Sequence, residues 1–299
     1  MEGPYMKIAF LMLCHKNPNQ INILLDKLLE FDSDIFIHID KKNYNISSEF
    51  MKSKRIHVLN YNECFDINWG GINMIRATLS LINFAKKTNA NFDYLWLVSG
   101  QDYLINSVKN INKFLIKNKE KNFIHFLQHD ANYYKHRKLY TLSYPAWMTK
   151  DNIYCKILKR VYMLITGGFK HTFKVFDRSK KYDINVEIGS QWWALKSECA
   201  YYILDYCNNN PKYYDFYEKC LIPDESFFQT IISNSKFYNQ CFDKLTFVNW
   251  KNNKRSPETL THDDLDLLKK KSKKFFMARK FDIDVDDEIL EELNKIIKE

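Results

Sequence analysis

Apolar residues in this chain come in two patterns that alternate through the first hundred positions: short continuous blocks, and longer stretches with apolar residues three and four apart. Met6 to Cys14 is a continuous block and predicts a buried strand. His15-Lys16-Asn17-Pro18-Asn19 breaks it, and Ile21 to Phe31 then carries a helical period. Asp34 to Asp40 predicts a second strand ending on an acid, and Arg55 to Leu59 a short third. After Trp69-Gly70-Gly71 a helix is expected over Ile72 to Lys86, then a strand over Tyr94 to Val98 that runs into Ser99-Gly100-Gln101-Asp102-Tyr103. Such alternation predicts an α/β fold with a mostly parallel central sheet flanked by helices. Each strand turns polar at its carboxyl end, where ligands bind in sheets of this kind.

The second half is less regular. Phe123 to Leu127 predicts a strand, but the Tyr/His/Lys-rich sequence from there to about Lys181 has no clean period and fits an acceptor-binding loop or a plain connection equally well. Order returns with a strand over Gly189 to Leu195, a helix over Ser197 to Tyr206, a further helix from Pro223 onward, a last strand over Lys244 to Trp250 and a surface helix over Asp284 to Glu299. With 7 glycines, 6 prolines and no linker-like stretch in 299 residues, a single domain over 1–299 is expected.

Charge and cysteine usage narrow the setting. The formal net charge is +9, with lysines gathered at Lys269-Lys270-Lys271 and Lys273-Lys274, which suits an anionic ligand, an anionic membrane surface or simply a solvated helix face. No arginine-rich arm, zinc-ligand spacing or RNA-binding aromatic signature accompanies it, so no nucleic-acid partner is expected. The 7 cysteines are odd in number and contain no CxxC pair, which argues for reduced thiols and a cytoplasmic protein. The apolar run Ile8 to Cys14 is too short for a signal peptide and no later run approaches a bilayer span.

The chemistry concentrates in Pro223-Asp224-Glu225-Ser226-Phe227-Phe228-Gln229-Thr230, where two adjacent carboxylates open an apolar, helix-compatible segment. Acids there either cap a helix, favoured by its dipole, or serve as a base. Trp192 and Trp193, adjacent on a strand, face opposite sides, so one can join the core while the other offers a flat face to a sugar ring.

Six segments taken in order resemble the core-2/I-branching family of glycosyltransferases, which includes β-1,6-N-acetylglucosaminyltransferases and peptide O-xylosyltransferases. They are Phe36-Ile37-His38-Ile39-Asp40-Lys41-Lys42, Trp69-Gly70-Gly71, Ser99-Gly100-Gln101-Asp102-Tyr103, Gly189-Ser190-Gln191-Trp192-Trp193-Ala194-Leu195, the Pro223 to Thr230 run, and Ala278-Arg279-Lys280-Phe281-Asp282. The resemblance implies a GT-A type nucleotide-sugar-binding fold, with a nucleotide-binding half over 7–120, an acceptor-binding and catalytic half over 121–282, and a C-terminal helix over 283–299. It implies inverting transfer from a UDP-sugar donor to a hydroxyl of a glycan or glycolipid acceptor, with Glu225 as the base. Asp224, by contrast, would hold a neighbouring group or cap the helix. Leu13, His15 and Asp40 fall at the nucleotide, and Arg255 and Lys280 at the diphosphate in place of a metal, so no cofactor is expected. Trp69, Gly70, Gln101, Asp102, Trp192 and Trp193 fall at the substrates.

Neither Asp32-Ser33-Asp34, ahead of a strand, nor Asp282-Ile283-Asp284, in an acidic tail, sits where a metal-binding acid pair would. Lacking an anchor and a disulfide pattern, the chain looks like a bacterial, cytoplasmic relative, with contact to the inner face of the membrane through the lysine cluster as one expectation. A glycoside hydrolase and a non-catalytic carbohydrate- or nucleotide-binding module are the alternatives.

Overall fold

The computed structural model describes residues 5–68, 70–130, 133, 136–137, 140–141, 153–165, 178–250 and 256–298. Trp69 and Arg255 lie outside the described residues. The first strands form where the sequence pattern places them: β1 (Ile8–Cys14), β2 (Ser33–Ile39), β3 (Ile56–Val58) and β4 (Tyr94–Ser99). They pair in parallel as β3-β2-β1-β4. Every residue of β1 and β4 is buried. That is the condition under which a strand reads as a continuous apolar run instead of an alternating one.

Beyond β4 the sheet continues through β7 (Gly189–Lys196), β6 (Asn122–Phe126) and β8 (Cys241–Phe242). β7 runs antiparallel to both neighbours, and the other pairings are parallel. The expected mostly parallel sheet flanked by helices is therefore present.

One face is covered by α1 (Pro18–Leu28), which buries Ile21, Leu24, Leu25 and Leu28 against Phe10, Met12 and Ile37. Pro18 occupies the first turn of α1, where its missing N–H costs nothing. The opposite face carries α2 (Asn73–Lys87), then α3 (Val108–Lys117) follows strand β5 (Asp102–Leu104) in sequence, and α4 (Ile153–Ile165) lies in the stretch that shows no clean period. Helix α5 (Ser197–Asn209) packs with α2 on Ala9, Leu11 and Leu97, and α6 (Pro211–Tyr217) and α7 (Phe227–Ser233) complete that layer.

Two departures from the expected elements matter for function. The segment from Pro223 is not one helix: a 3-10 turn over Pro223–Glu225 is separated from α7 by Ser226, whose φ of −138° and ψ of −33° are not helical. Ser226 is fully buried and its hydroxyl is hydrogen-bonded with that of Tyr217 at 2.9 Å, which holds the break in place. The run Lys244 to Trp250 is not the last strand either. Only Thr246–Val248 is a strand, β9, and it belongs to a second sheet with β5 (Asp102–Leu104) and β10 (Met277–Arg279), in the order β5-β10-β9. Strands of three residues are too short to announce themselves by period. After α8 (Leu265–Lys271) and β10, the chain ends on α9 (Ile289–Lys298), as the surface-helix pattern predicts.

Candidate active site

Three strand ends are laced together where the sequence turns polar. The Leu13 carbonyl at the end of β1 accepts from Gly100 N–H at 3.0 Å, and the Cys14 carbonyl accepts from Asp40 N–H at 2.9 Å. Gly100 is required by this contact, because a Cβ there would lie 2.9 Å from the Cys14 Cβ and 3.0 Å from Ile21 Cγ1. Leu13 is thus a backbone anchor, 8% exposed, with His15 exposed just beyond it. The protein packed behind His15, and then Lys16, push its pKa down, while Asp40 and Asp282 oppose them.

Asp40 is buried, and its Oδ1 accepts from the Lys42 and Ile67 N–H groups at 3.3 and 3.2 Å while Oδ2 lies 3.3 Å from the Lys42 ammonium. The loop supplying Ile67 is itself held by His38, whose Nε2 accepts from Phe65 N–H at 2.9 Å. Burial pushes His38 down to about 4, so the ring stays neutral and can accept.

The second sheet brings the C-terminal segment to these strand ends. Asp102, at the start of β5, is 1% exposed. Its Oδ2 accepts from Ser99 N–H at 2.9 Å and its Oδ1 from the Arg279 guanidinium at 2.9 Å. Burial pushes Asp102 up to about 6, against the pull of Arg279 and Ser99. Asp102 therefore serves Arg279, not a ligand directly. The guanidinium in turn stacks over Trp192, 3.8 Å from the ring centroid. A planar guanidinium satisfies both contacts at once, one in its plane and one on its face, which an ammonium does not.

Lys280, next in the chain, donates to the Ser256 hydroxyl at 2.9 Å, and the Arg279–Lys280 peptide bond is cis. Gln101 accepts from Phe281 N–H through its carbonyl at 2.8 Å, and buried Gln20 donates to the carbonyls of Gly100 and Phe281, both at 3.1 Å. Trp193 is the core member of the tryptophan pair, 1% exposed and 5.5 Å from the Phe228 ring.

The acid pair sits on the 3-10 turn, pinned by Gly70: the Ile222 N–H donates to the Gly70 carbonyl at 3.0 Å. Gly70 has φ +70°, a conformation other residues adopt only with strain, and its α-carbon faces Ile222, so the glycine fits both the turn and the contact. Neither acid caps a helix with its side chain. Glu225 Oε2 accepts instead from the Tyr140 hydroxyl at 3.1 Å. Tyr140 is 1% exposed, and its carbonyl accepts from the Cys220 thiol at 2.8 Å, while Arg178 reaches Cys220 Sγ at 3.2 Å.

Burial lifts the Glu225 pKa above the ordinary carboxylate range, with Tyr140 and Lys244 pulling it back. Burial, and then the charge of Glu225, push Asp224 up to about 7. Lys244 feels both Glu225 and Arg279, and burial lowers its pKa. One electrostatic neighbourhood thus holds a carboxylate of raised basicity and a set of cations.

A family model, Core-2/I-Branching enzyme, matches residues 8–272. The chain belongs to the Core-2/I-Branching enzyme family. Xylosyltransferase 2 of Canis lupus familiaris is 25% identical over 320 residues, covering 98% of this chain and 34% of that protein. Xylosyltransferase 1 of Rattus norvegicus is 22% identical over 98% of this chain and 35% of its own length. The chain thus spans about a third of the curated relatives it matches. Among solved structures, core-mannan synthase A of Aspergillus fumigatus covers 78% of this chain and 71% of its own, with 9% identity and a TM-score of 0.35.

Within this Core-2/I-Branching chain, sequence reasoning gave Arg279 no separate role and missed Tyr140 and Lys244. Arg279 lies in a motif that does stand out, beside Lys280. Tyr140 carries no local signal, since its hydrogen bond to the acid pair spans 85 positions.

Proposed function

We propose that this chain is an inverting, metal-independent glycosyltransferase that moves a sugar from a UDP-sugar to a hydroxyl of a glycan or glycolipid acceptor and forms a β-linkage. N-acetylglucosamine and xylose rank first as the donor sugar, and the names of the relatives add weight to xylose. The observation that carries this reading is Glu225. It is a half-buried carboxylate of raised pKa, held by Tyr140 and free of any capping role.

A sugar hydroxyl is a weak nucleophile at neutral pH, and a base within hydrogen-bond reach lowers the barrier to its attack. Glu225 takes the hydroxyl proton as the acceptor oxygen bonds to the anomeric carbon. The bond from that carbon to the diphosphate oxygen breaks on the opposite face, which inverts the centre. Negative charge then grows on the departing UDP, and fixed cations stabilise it. Lys280 suits this task, because its described partner is one neutral hydroxyl, whereas Arg279 is committed to Asp102 and Trp192. Arg255 is the second cation of the proposal.

The donor set fits a cationic clamp better than a metal. Asp102 has both oxygens engaged, Asp282 pairs with Lys16 at 2.6 Å and accepts from Asn17 at 3.0 Å, and Asp34 faces His57 at 2.9 Å. Such carboxylates are poor candidates to gather on one divalent ion.

Glu225→Gln is expected to lower turnover by at least about 100-fold while leaving UDP affinity within about twofold, since general-base catalysis contributes about that factor. Retention of turnover by E225Q would overturn the assignment. Release of free sugar into water without an acceptor would instead favour hydrolysis. EDTA is expected to leave turnover unchanged, and its abolition by chelation would remove the clamp.

A further inference from the structure

Helix α4 is turned inside out relative to the rest of the fold. In α1 the residues Ile21, Leu24, Leu25 and Leu28 are completely buried. In α4 the large apolar side chains Ile153, Ile157, Leu158, Val161, Leu164 and Ile165 are 43% to 80% exposed, and Cys155 is the residue that is buried. Spacings of three, four and seven set these apolar positions on one strip along the 13-residue helix, about 20 Å long. Tyr154, 75% exposed, stands beside the strip near its N-terminal end. Such a strip has no counterpart among the other described helices, and soluble proteins rarely leave a contiguous apolar patch of this kind uncovered.

We propose that α4 lies in the plane of an anionic lipid surface, its apolar strip entering the headgroup region with Arg160 at its edge. The charge pattern selects this occupant. The helix carries Lys156, Lys159 and Arg160 and no acid. An anionic surface complements that charge, while the long Arg160 stem reaches along the apolar surface to place its guanidinium among headgroups. A second copy of this basic, acid-free helix packed on the strip would set like charges near one another. The net charge of +9 adds attraction at longer range.

The lysine cluster noted in the sequence is a weaker candidate. Lys274 pairs with Asp243 at 2.9 Å and Lys271 lies over the Phe247 ring at 5.1 Å, and that segment presents no comparable apolar strip. Among the described residues no helix is long and apolar enough to cross a membrane, so the contact is peripheral.

The test is flotation of the full chain with vesicles of phosphatidylcholine alone and of phosphatidylcholine mixed with phosphatidylglycerol. It reads binding, so it stands or falls apart from the transferase reading. The parent chain is expected to float with the mixed vesicles at least about tenfold better than with neutral ones, and salt should weaken the binding. V161D/L164D/I165D, all at exposed positions, should lose it with unchanged circular dichroism and thermal midpoint, and K159Q/R160Q should reduce it. K269Q/K270Q/K271Q should keep most of it.

The proposal fails if the parent does not float, or if the triple aspartate variant floats like the parent. It fails equally if the parent sediments as a dimer that the triple variant converts to monomer while neither binds vesicles.

Discussion

At the scale of the residue, the acid pair shows how environment separates two neighbouring carboxylates. Glu225 has a hydroxyl donor and a nearby ammonium, whereas burial, and then the charge of Glu225, push Asp224 up to about 7. The Tyr140 hydroxyl stabilises the ionised form of Glu225, so removing it raises the pKa of the base further. In Tyr140→Phe the acid limb of the pH–rate profile is expected to move to higher pH, with turnover below that limb reduced about tenfold and largely recovered in alkali. A hydrogen bond to a charged group is worth about 1.5–3 kcal/mol, which is the source of that factor. An unshifted profile in Y140F would show that the bond does nothing for the base.

Asp224 carries a stability consequence of definite sign. Its folded pKa of about 7 lies above the ordinary value of 3.8, so between those limits the folded chain binds more protons than the unfolded one and stability falls as pH rises. Asp224→Asn should therefore flatten the decline of the thermal midpoint between pH 4 and pH 7. A decline as steep as that of the parent would contradict the placement of this carboxyl.

Among the elements, legibility followed burial and length. Strands β1 and β4 were readable because both their faces are covered, which turns the sequence itself into a continuous apolar block, and β2 was readable by its alternation of apolar and polar residues. The second sheet was not, since β5, β9 and β10 have three residues each and exist through pairing instead of pattern. Helix α4 escaped the reading because its apolar strip is not matched to a core. The split at Ser226 was hidden by the helix-forming residues around it and is decided by the buried hydroxyl contacts with Tyr217 and Thr230.

The cost of the second sheet's short strands is met by the Asp102–Arg279 pair, which links β5 to β10 at a register position where the two residues face each other. Asp102→Ala leaves the guanidinium buried without its carboxylate and should cost about 3–5 kcal/mol in urea unfolding. D102A/R279M removes the stranded charge and is expected to regain much of that loss. A D102A cost under about 1 kcal/mol, or a double variant less stable than D102A, would mean that the pair does not carry the strand contact.

Across the whole molecule, the site is assembled from opposite ends of the chain: Lys16 meets Asp282, Asp102 meets Arg279, and Gln20 reaches Phe281. A donor nucleotide bound between the β1–β2 ends and the segment after β10 would touch both sheets and so stabilise the fold as a unit. Because a ligand that binds only the folded state stabilises it by RT ln(1 + [L]/Kd), UDP at about 100 times its Kd should add about 2.7 kcal/mol. For a chain of this length, unfolding entropy of about 2.1 cal/mol/K per residue turns that into a rise of about 4 °C in thermal midpoint. E225Q should show the same rise, since the proposed base is not assigned to the nucleotide. Lys280→Ala should lose most of the rise with UDP and keep any rise seen with uridine, because the proposed clamp meets the diphosphate and not the nucleoside. Equal responses of K280A and the parent to UDP would leave Lys280 without a part in binding it, and the expelled phosphates would have to be met elsewhere.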